Sequence, residues 1–227
     1  MYIGLLPGGG LAAAAVVRQL GLAFGEGDRL RTLAPVREHV AAAHPPEAAD
    51  LDRAIGHYAG LAATTGNRVG SSGGAEAAAR LQADTGNIAA MLERAAAGGR
   101  IEELADAVDG LAEYWRFTGF TQPALAALAG QAIEAHGTPV QQARTWRALG
   151  DIALARSDHD GARARYEEAL PLYRAIPEPY SIRWTMVRLA RLEPAGSERT
   201  RYWQGACKEW TSIGREDLIE STKAEFE

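Results

Sequence analysis

Five histidines, His39, His44, His57, His136 and His159, are the first side chains to test for chemistry. A zinc-binding H-E-x-x-H pair places two imidazoles on one helix face. His39 and His44, with Glu38 nearby, are five residues apart and so about 140° apart around a helix, which turns them away from a shared ion. Asp158-His159-Asp160 has the residue types for acid–base work, but it separates two apolar-periodic stretches and reads as a solvated turn. Local spacing yields no Ser/His/Asp set, so the sequence assigns no catalytic residue and no metal ligand. Phosphate binding needs a glycine loop followed by a lysine that reaches the terminal phosphate. The only lysines are Lys208 and Lys223, and neither follows such a loop. Residues 8–10 and the Gly/Ser stretch 66–74 therefore read as a flexible N-terminus and a linker, and no cofactor is expected.

Recognition chemistry is better supplied. Arg144 and Arg147 lie three apart on one predicted helix face, beside the predicted path of Arg191, and guanidinium groups hold carboxylates through paired hydrogen bonds. The net charge of −5 provides no general basic stripe, so nucleic acid is not expected as a partner. The single cysteine, Cys207, excludes an internal disulfide and suits a cytoplasmic location, where its helical setting makes it a packing residue. Apolar residues 11–17 have no Lys or Arg before Arg18 and fall far short of the roughly 20 residues that span a bilayer. They read as a buried helix, with no membrane partner.

The elements that must position these residues are helical hairpins. Residues 143–176, 34 in all, follow the tetratricopeptide pattern. Trp146, Leu149 and Gly150 form the W-x2-L-G opening, and Ala162, Tyr166 and Ala169 form the small-large-small face of a second helix. Small residues let the backbones approach, while Trp146, Leu149, Ile152, Tyr166 and Leu170 recur at helical spacing and fill the gap. Residues 157–161 form a polar turn whose Ser and Asp side chains can cap the next helix. Pro177 and Pro179 forbid continuation. Ala153 stands where the pattern has tyrosine.

One hairpin cannot bury its own apolar face, so neighbours are predicted. Upstream, with Gly119 in the turn, Leu111 and Ala112 take the opening pair, Ala124 the small position and Leu128 the large one. Trp115 falls where Ala153 falls, and Pro123 sits in a first helical turn. Downstream, Met186, Leu189 and Ala190 open a third unit whose second helix, with Ala206, Trp210 and Ile213, arrives about four residues late. A polar terminal helix at 215–226 caps the stack. The N-terminal third differs: residues 22–33 read as a β-hairpin around Gly25-Glu26-Gly27-Asp28. A helix follows from Ala34-Pro35, then a break at Pro45-Pro46, a helix over 47–63 and another over 75–96 ended by Gly98-Gly99.

The order "GLAFGEGDRLRTLAPVREHV", "HYAGLA", "RLQADTGNIAAMLERA" and then repeat hairpins resembles the C-terminal half of the NB-ARC-like signal-transduction ATPases with numerous domains, over residues 20–220. In that family a winged-helix domain ends in a wing hairpin and an "LR.LAPIREH" helix, matched here by residues 31–39. A linker helix with an "E..N" element follows; this chain keeps Asn87 but has Asp84 and Gly86 in place of the acidic run. The resemblance implies an all-α, tetratricopeptide-like superhelix with a short N-terminal β-hairpin. The expected divisions are a winged-helix remnant at 1–46, a helical linker at 47–100 and repeats at 101–227. It also implies that the first helix of each hairpin lines a groove for a peptide or protein, possible partners including an NB-ARC-type ATPase domain. By template position the groove presents Asp109, Glu113, Arg116 and Phe117, then Arg144, Arg147 and Asp151, then Trp184, Val187 and Arg191. The implied function is a non-catalytic sensor or scaffold arm that would favour an acidic segment. The alternative is a small DNA-binding regulator, for which residues 1–20 offer only Arg18 as a cation.

Overall fold

The computed structural model describes residues 10–26, 29–43, 45–119, 122–176 and 178–226. The chain divides into two compact units, Met1–Tyr58 and Ala59–Glu227. Among the described residues the fold is all-α apart from one two-stranded antiparallel hairpin near the N-terminus. Its described elements are α1 (Gly10–Gln19), β1 (Ala23–Glu26), β2 (Arg29–Thr32), α2 (Ala34–Ala43), α3 (Ala48–Gly66), α4 (Gly74–Ala97), α5 (Ile101–Thr118), α6 (Pro123–His136), α7 (Pro139–Ala155), α8 (His159–Ala175), α9 (Pro179–Leu192), α10 (Ser197–Thr211) and α11 (Glu216–Lys223). The division between the units falls inside α3.

In the first unit the hairpin register pairs Phe24 with Arg31 and Gly25 with Leu30. Residues of one face therefore turn together, and Ala23 and Leu30 are buried with Val17 of α1 packed against them. Of the apolar run of α1, Ala15 and Val16 are exposed and Val17 is half-buried, so these three are less buried than expected. The expected turn residues Gly27 and Asp28, together with Gly8, Gly9, His44 and Pro177, lie outside the described residues.

In the second unit α4 buries Ala77, Leu81, Asp84, Ile88, Leu92 and Ala95, a stripe at three- and four-residue spacing that sets one face of the helix against its neighbours. Asn87 donates to the Asp84 carboxylate from the next turn. α3 and α5 meet backbone to backbone at Gly66 and Gly110, where a Cβ on Gly66 would stand 2.2 Å from the Gly110 carbonyl oxygen. From there antiparallel hairpins follow: α5 with α6, α7 with α8, α9 with α10, and α11 against α10. Proline begins α6, α7 and α9, where its missing N–H costs nothing. Thr138 and Gln141 close a capping box at the start of α7, and the Asp158 carboxylate accepts from the Gly161 N–H, 2.9 Å away, at the start of α8.

Trp146, Leu149, Gly150, Ala162, Tyr166 and Ala169 are all buried, as are Leu111, Ala112, Trp115, Met186, Leu189 and Ala190 on the other opening helices. The second helices are less faithful to the expected register. Ala124 and Leu128 are exposed; Ala126, Gly130 and Ile133 face inward, at the fourth, eighth and eleventh positions of α6 that Ala162, Tyr166 and Ala169 hold in α8. A longer α5 and a longer connection delay α6 by two residues, and a two-residue slip turns a helix by about 200°. Ala206 and Trp210 are buried in α10 as expected, but Ile213 lies past its end and is exposed.

Candidate interaction cleft

Charged residues on α5, α7 and α9 join three hairpins. Arg144 donates from Nη1 to Asp106 at 3.1 Å and from Nη2 to Asp109 at 2.8 Å. Arg147 bridges Asp109 of α5 and Asp151 of its own helix, the latter at 3.1 Å. Asp151 then accepts from Arg188 Nε of α9 and from the Tyr166 hydroxyl of α8, each at 2.6 Å. Three carboxylates thus meet three guanidiniums, and their charges are paired across the three helices. Because Asp109 and Asp151 are largely shielded from water, these pairs differ from solvated surface bridges, which contribute below about 1 kcal/mol.

The protonation states follow from the same geometry. Burial works against the charge on Arg147, but Asp109 and Asp151 outweigh it and hold the guanidinium well above its ordinary pKa. Arg144 is raised in the same sense: burial opposes its charge, and Asp109 and Asp106 more than offset that. Burial pushes the Tyr166 hydroxyl far up, and the neighbouring Asp151 carboxylate adds to the effect. Tyr173 is also raised by burial, with Arg147 partly opposing.

Beside this network lies a cleft of about 710 Å³, lined by Asp109, Val140, Arg144, Arg147, Tyr173, Glu178, Tyr180, Ser181, Trp184 and Arg188. Four of the expected groove residues, Asp109, Arg144, Arg147 and Trp184, are brought together here. Asp151 does not present a groove surface: it is 3% exposed and serves as the buried acceptor that ties α7, α8 and α9 together. Val187 is fully buried. Arg191 is directed elsewhere, to a bidentate pair with Glu225, and Arg188 takes the cleft position expected of it. Glu113 and Arg116 pair with each other at 2.6 Å, and Arg116 stacks over the exposed Phe117 ring, which borders the loop at Gly70.

Sequence reasoning missed Val140, Tyr173, Glu178, Tyr180, Ser181 and Arg188. Tyr180 and Ser181 carry a usable signal, since they follow Pro179 in the first turn of an opening helix. Tyr173 carries none, because it belongs to a second helix, α8, whereas the groove is expected from first helices. Tyr180 and Trp184 stand one turn apart with ring centroids 6.1 Å apart and edge-on, forming an aromatic wall.

Among the described residues no group of three or more His, Cys, Asp or Glu is arranged to hold a metal ion, and no helix is long and apolar enough to cross a membrane. Comparison of the chain with protein-family models, curated proteins and solved structures gives no match.

Proposed function

We propose that the chain is a non-catalytic protein-interaction module, the sensor or scaffold arm of a signalling-ATPase type of regulator, which takes a peptide or protein segment in the α5–α7–α9 cleft. The observation that carries this reading is the cleft itself: a concavity of about 710 Å³ with an aromatic wall, set on a framework of cross-hairpin ion pairs. Aromatic side chains supply contact area at low entropic cost, and a braced framework reduces what a partner must order on binding. A nucleotide-binding domain of the kind carried by such ATPases is a candidate partner, as is an extended segment of another protein.

The arginines of the cleft are engaged by Asp106, Asp109 and Asp151, so replacing Arg144 and Arg147 together would disturb the hairpin stack as well as any partner. Val140 and Tyr180 are better probes because both line the cleft and are exposed. Selection from a displayed random-peptide library should enrich peptides whose affinity falls at least about tenfold in Val140→Glu and Tyr180→Glu. If every enriched peptide binds these variants as well as the parent, the cleft is not the binding site and the reading fails.

A further inference from the structure

A second recognition surface lies away from the cleft, where the chain following α11 returns to α9 and α10. Arg191 of α9 grips the Glu225 carboxylate with two parallel hydrogen bonds, Nε to Oε2 at 2.6 Å and Nη2 to Oε1 at 2.8 Å. Arg199 of α10 donates to the Glu225 carbonyl oxygen and its guanidinium sits 5.2 Å from the Phe226 ring centroid. Phe226 stacks on Trp203 of α10, with centroids 4.6 Å apart and planes 21° from parallel. An acidic side chain, a main-chain carbonyl and an aromatic ring are each met by a matching group. That is the chemistry by which arginine clusters and aromatic platforms read short acidic motifs.

Two features of this contact bear on whether another segment could take it. α11, which carries the segment, has Thr222 as its buried residue, and it leaves α10 through Gly214 in a left-handed conformation, φ 68°. An element with one buried residue opens at smaller free-energy cost than the core helices, so α11 is held chiefly by the contacts of Glu225 and Phe226. A cavity of about 340 Å³ remains beside Phe226, lined by Arg199, Thr200, Trp203, Gln204 and Cys207. About 150 Å³ suffices for a benzene ring, so the site has room for an aromatic group larger than a phenyl.

We infer that Arg191, Arg199 and Trp203 form a docking site for a protein segment in which an acidic residue immediately precedes an aromatic one, and that Glu225-Phe226 occupies it as an intramolecular stand-in. The partner competes with the chain's own segment, which is present at an effective concentration of roughly millimolar because it is tethered. The Glu225 carboxyl is held below its usual range, first by the hydrogen bond from Arg191, so the stand-in is charged at neutral pH.

The test uses the full chain and a labelled synthetic peptide spanning residues 216–226, followed by fluorescence anisotropy. Binding to Glu225→Gln/Phe226→Ala, in which the site is vacated, should be at least about tenfold tighter than to the parent chain. Adding Arg191→Gln should reverse the gain, while Tyr180→Glu, a cleft substitution, should leave it unchanged. A peptide carrying the Glu225→Gln and Phe226→Ala changes should bind neither chain, and the same peptide with Trp in place of Phe226 should bind at least as well as the original. Equal affinity for parent and vacated chains, or no binding to either, overturns the inference. Loss of the gain in Tyr180→Glu would instead place the peptide in the cleft and overturn the separate site.

Discussion

Tyr166 fills the volume that a side chain on Gly150 would require: a Cβ there would stand 2.6 Å from Tyr166 Cε1. Tyr166 cannot move aside cheaply, since it is fully buried and its hydroxyl is bound to Asp151. The pair fixes how closely α7 and α8 pack.

Gly150→Ala should therefore destabilise the protein by about 1–3 kcal/mol, and Gly150→Leu by more, as overpacking does. His159→Ala, at an exposed first-turn position, should stay within about 0.5 kcal/mol of the parent. Urea denaturation of the variants decides, and equal losses at the two positions would contradict the packing role.

The hairpin over residues 143–176 is legible in sequence because its signature is local: small and large residues alternate across two helices joined by a short capped turn. The upstream pair carries the same residue types, but Ala124 and Leu128 are exposed because the phase of α6 depends on where α5 stops. In an alanine-rich helix little in the side chains reports a two-residue slip. The cleft divides in the same way. Arg144 and Arg147 are legible as one face of one helix, whereas Arg188 rather than Arg191 reaches that face because Asp151 lies within its reach. That choice is made by a contact between residues 37 apart, which no periodicity encodes.

Alkaline titration should expose the tyrosines. Burial, reinforced for Tyr166 by Asp151, raises the folded-state pKa of both Tyr166 and Tyr173 above the unfolded value of about 10. Their contribution is complete below about pH 10 and declines above it, because the unfolded chain then releases protons that the folded chain retains. Urea midpoints should fall as pH rises from 9.5 to 11.5 in the parent, with each tyrosine contributing at most about 1.4 kcal/mol per pH unit. Tyr166→Phe should be less stable at neutral pH but show a shallower alkaline decline. An unchanged slope in that variant would refute the assignment.

Leu30 is the largest buried side chain in the small core shared by α1 and the hairpin. A two-stranded hairpin is marginal unless something covers one face, so Leu30→Ala should release strands β1 and β2 at a local cost of about 2–5 kcal/mol or their full local stability, whichever is smaller. Hydrogen exchange should accelerate over residues 23–32 and stay unchanged in α7 and α8. Loss of protection in both regions would mean that the two units unfold as one.

Arg147 should prove irreplaceable by lysine, since its two terminal nitrogens reach Asp109 on one helix and Asp151 on another at the same time. A lysine is a single point donor and lacks this fork, so Arg147→Lys should retain charge yet loosen the link between α5 and α7. Combined with Asp109→Asn in a double-mutant cycle, Arg147→Lys should show an interaction energy of about 0.5–3 kcal/mol. The single change Asp109→Asn should itself destabilise, because it removes the negative charge that Arg144 and Arg147 share and turns one of the two acceptor oxygens into an NH2 donor facing a guanidinium. Asp50→Asn, which removes the exposed partner of Arg53 in α3, provides the contrast: it should change stability by less than about 1 kcal/mol. An Arg147–Asp109 coupling near zero, with both single variants as mild as the Asp50 change, would reduce the network to surface bridges that do little to hold α5 against α7.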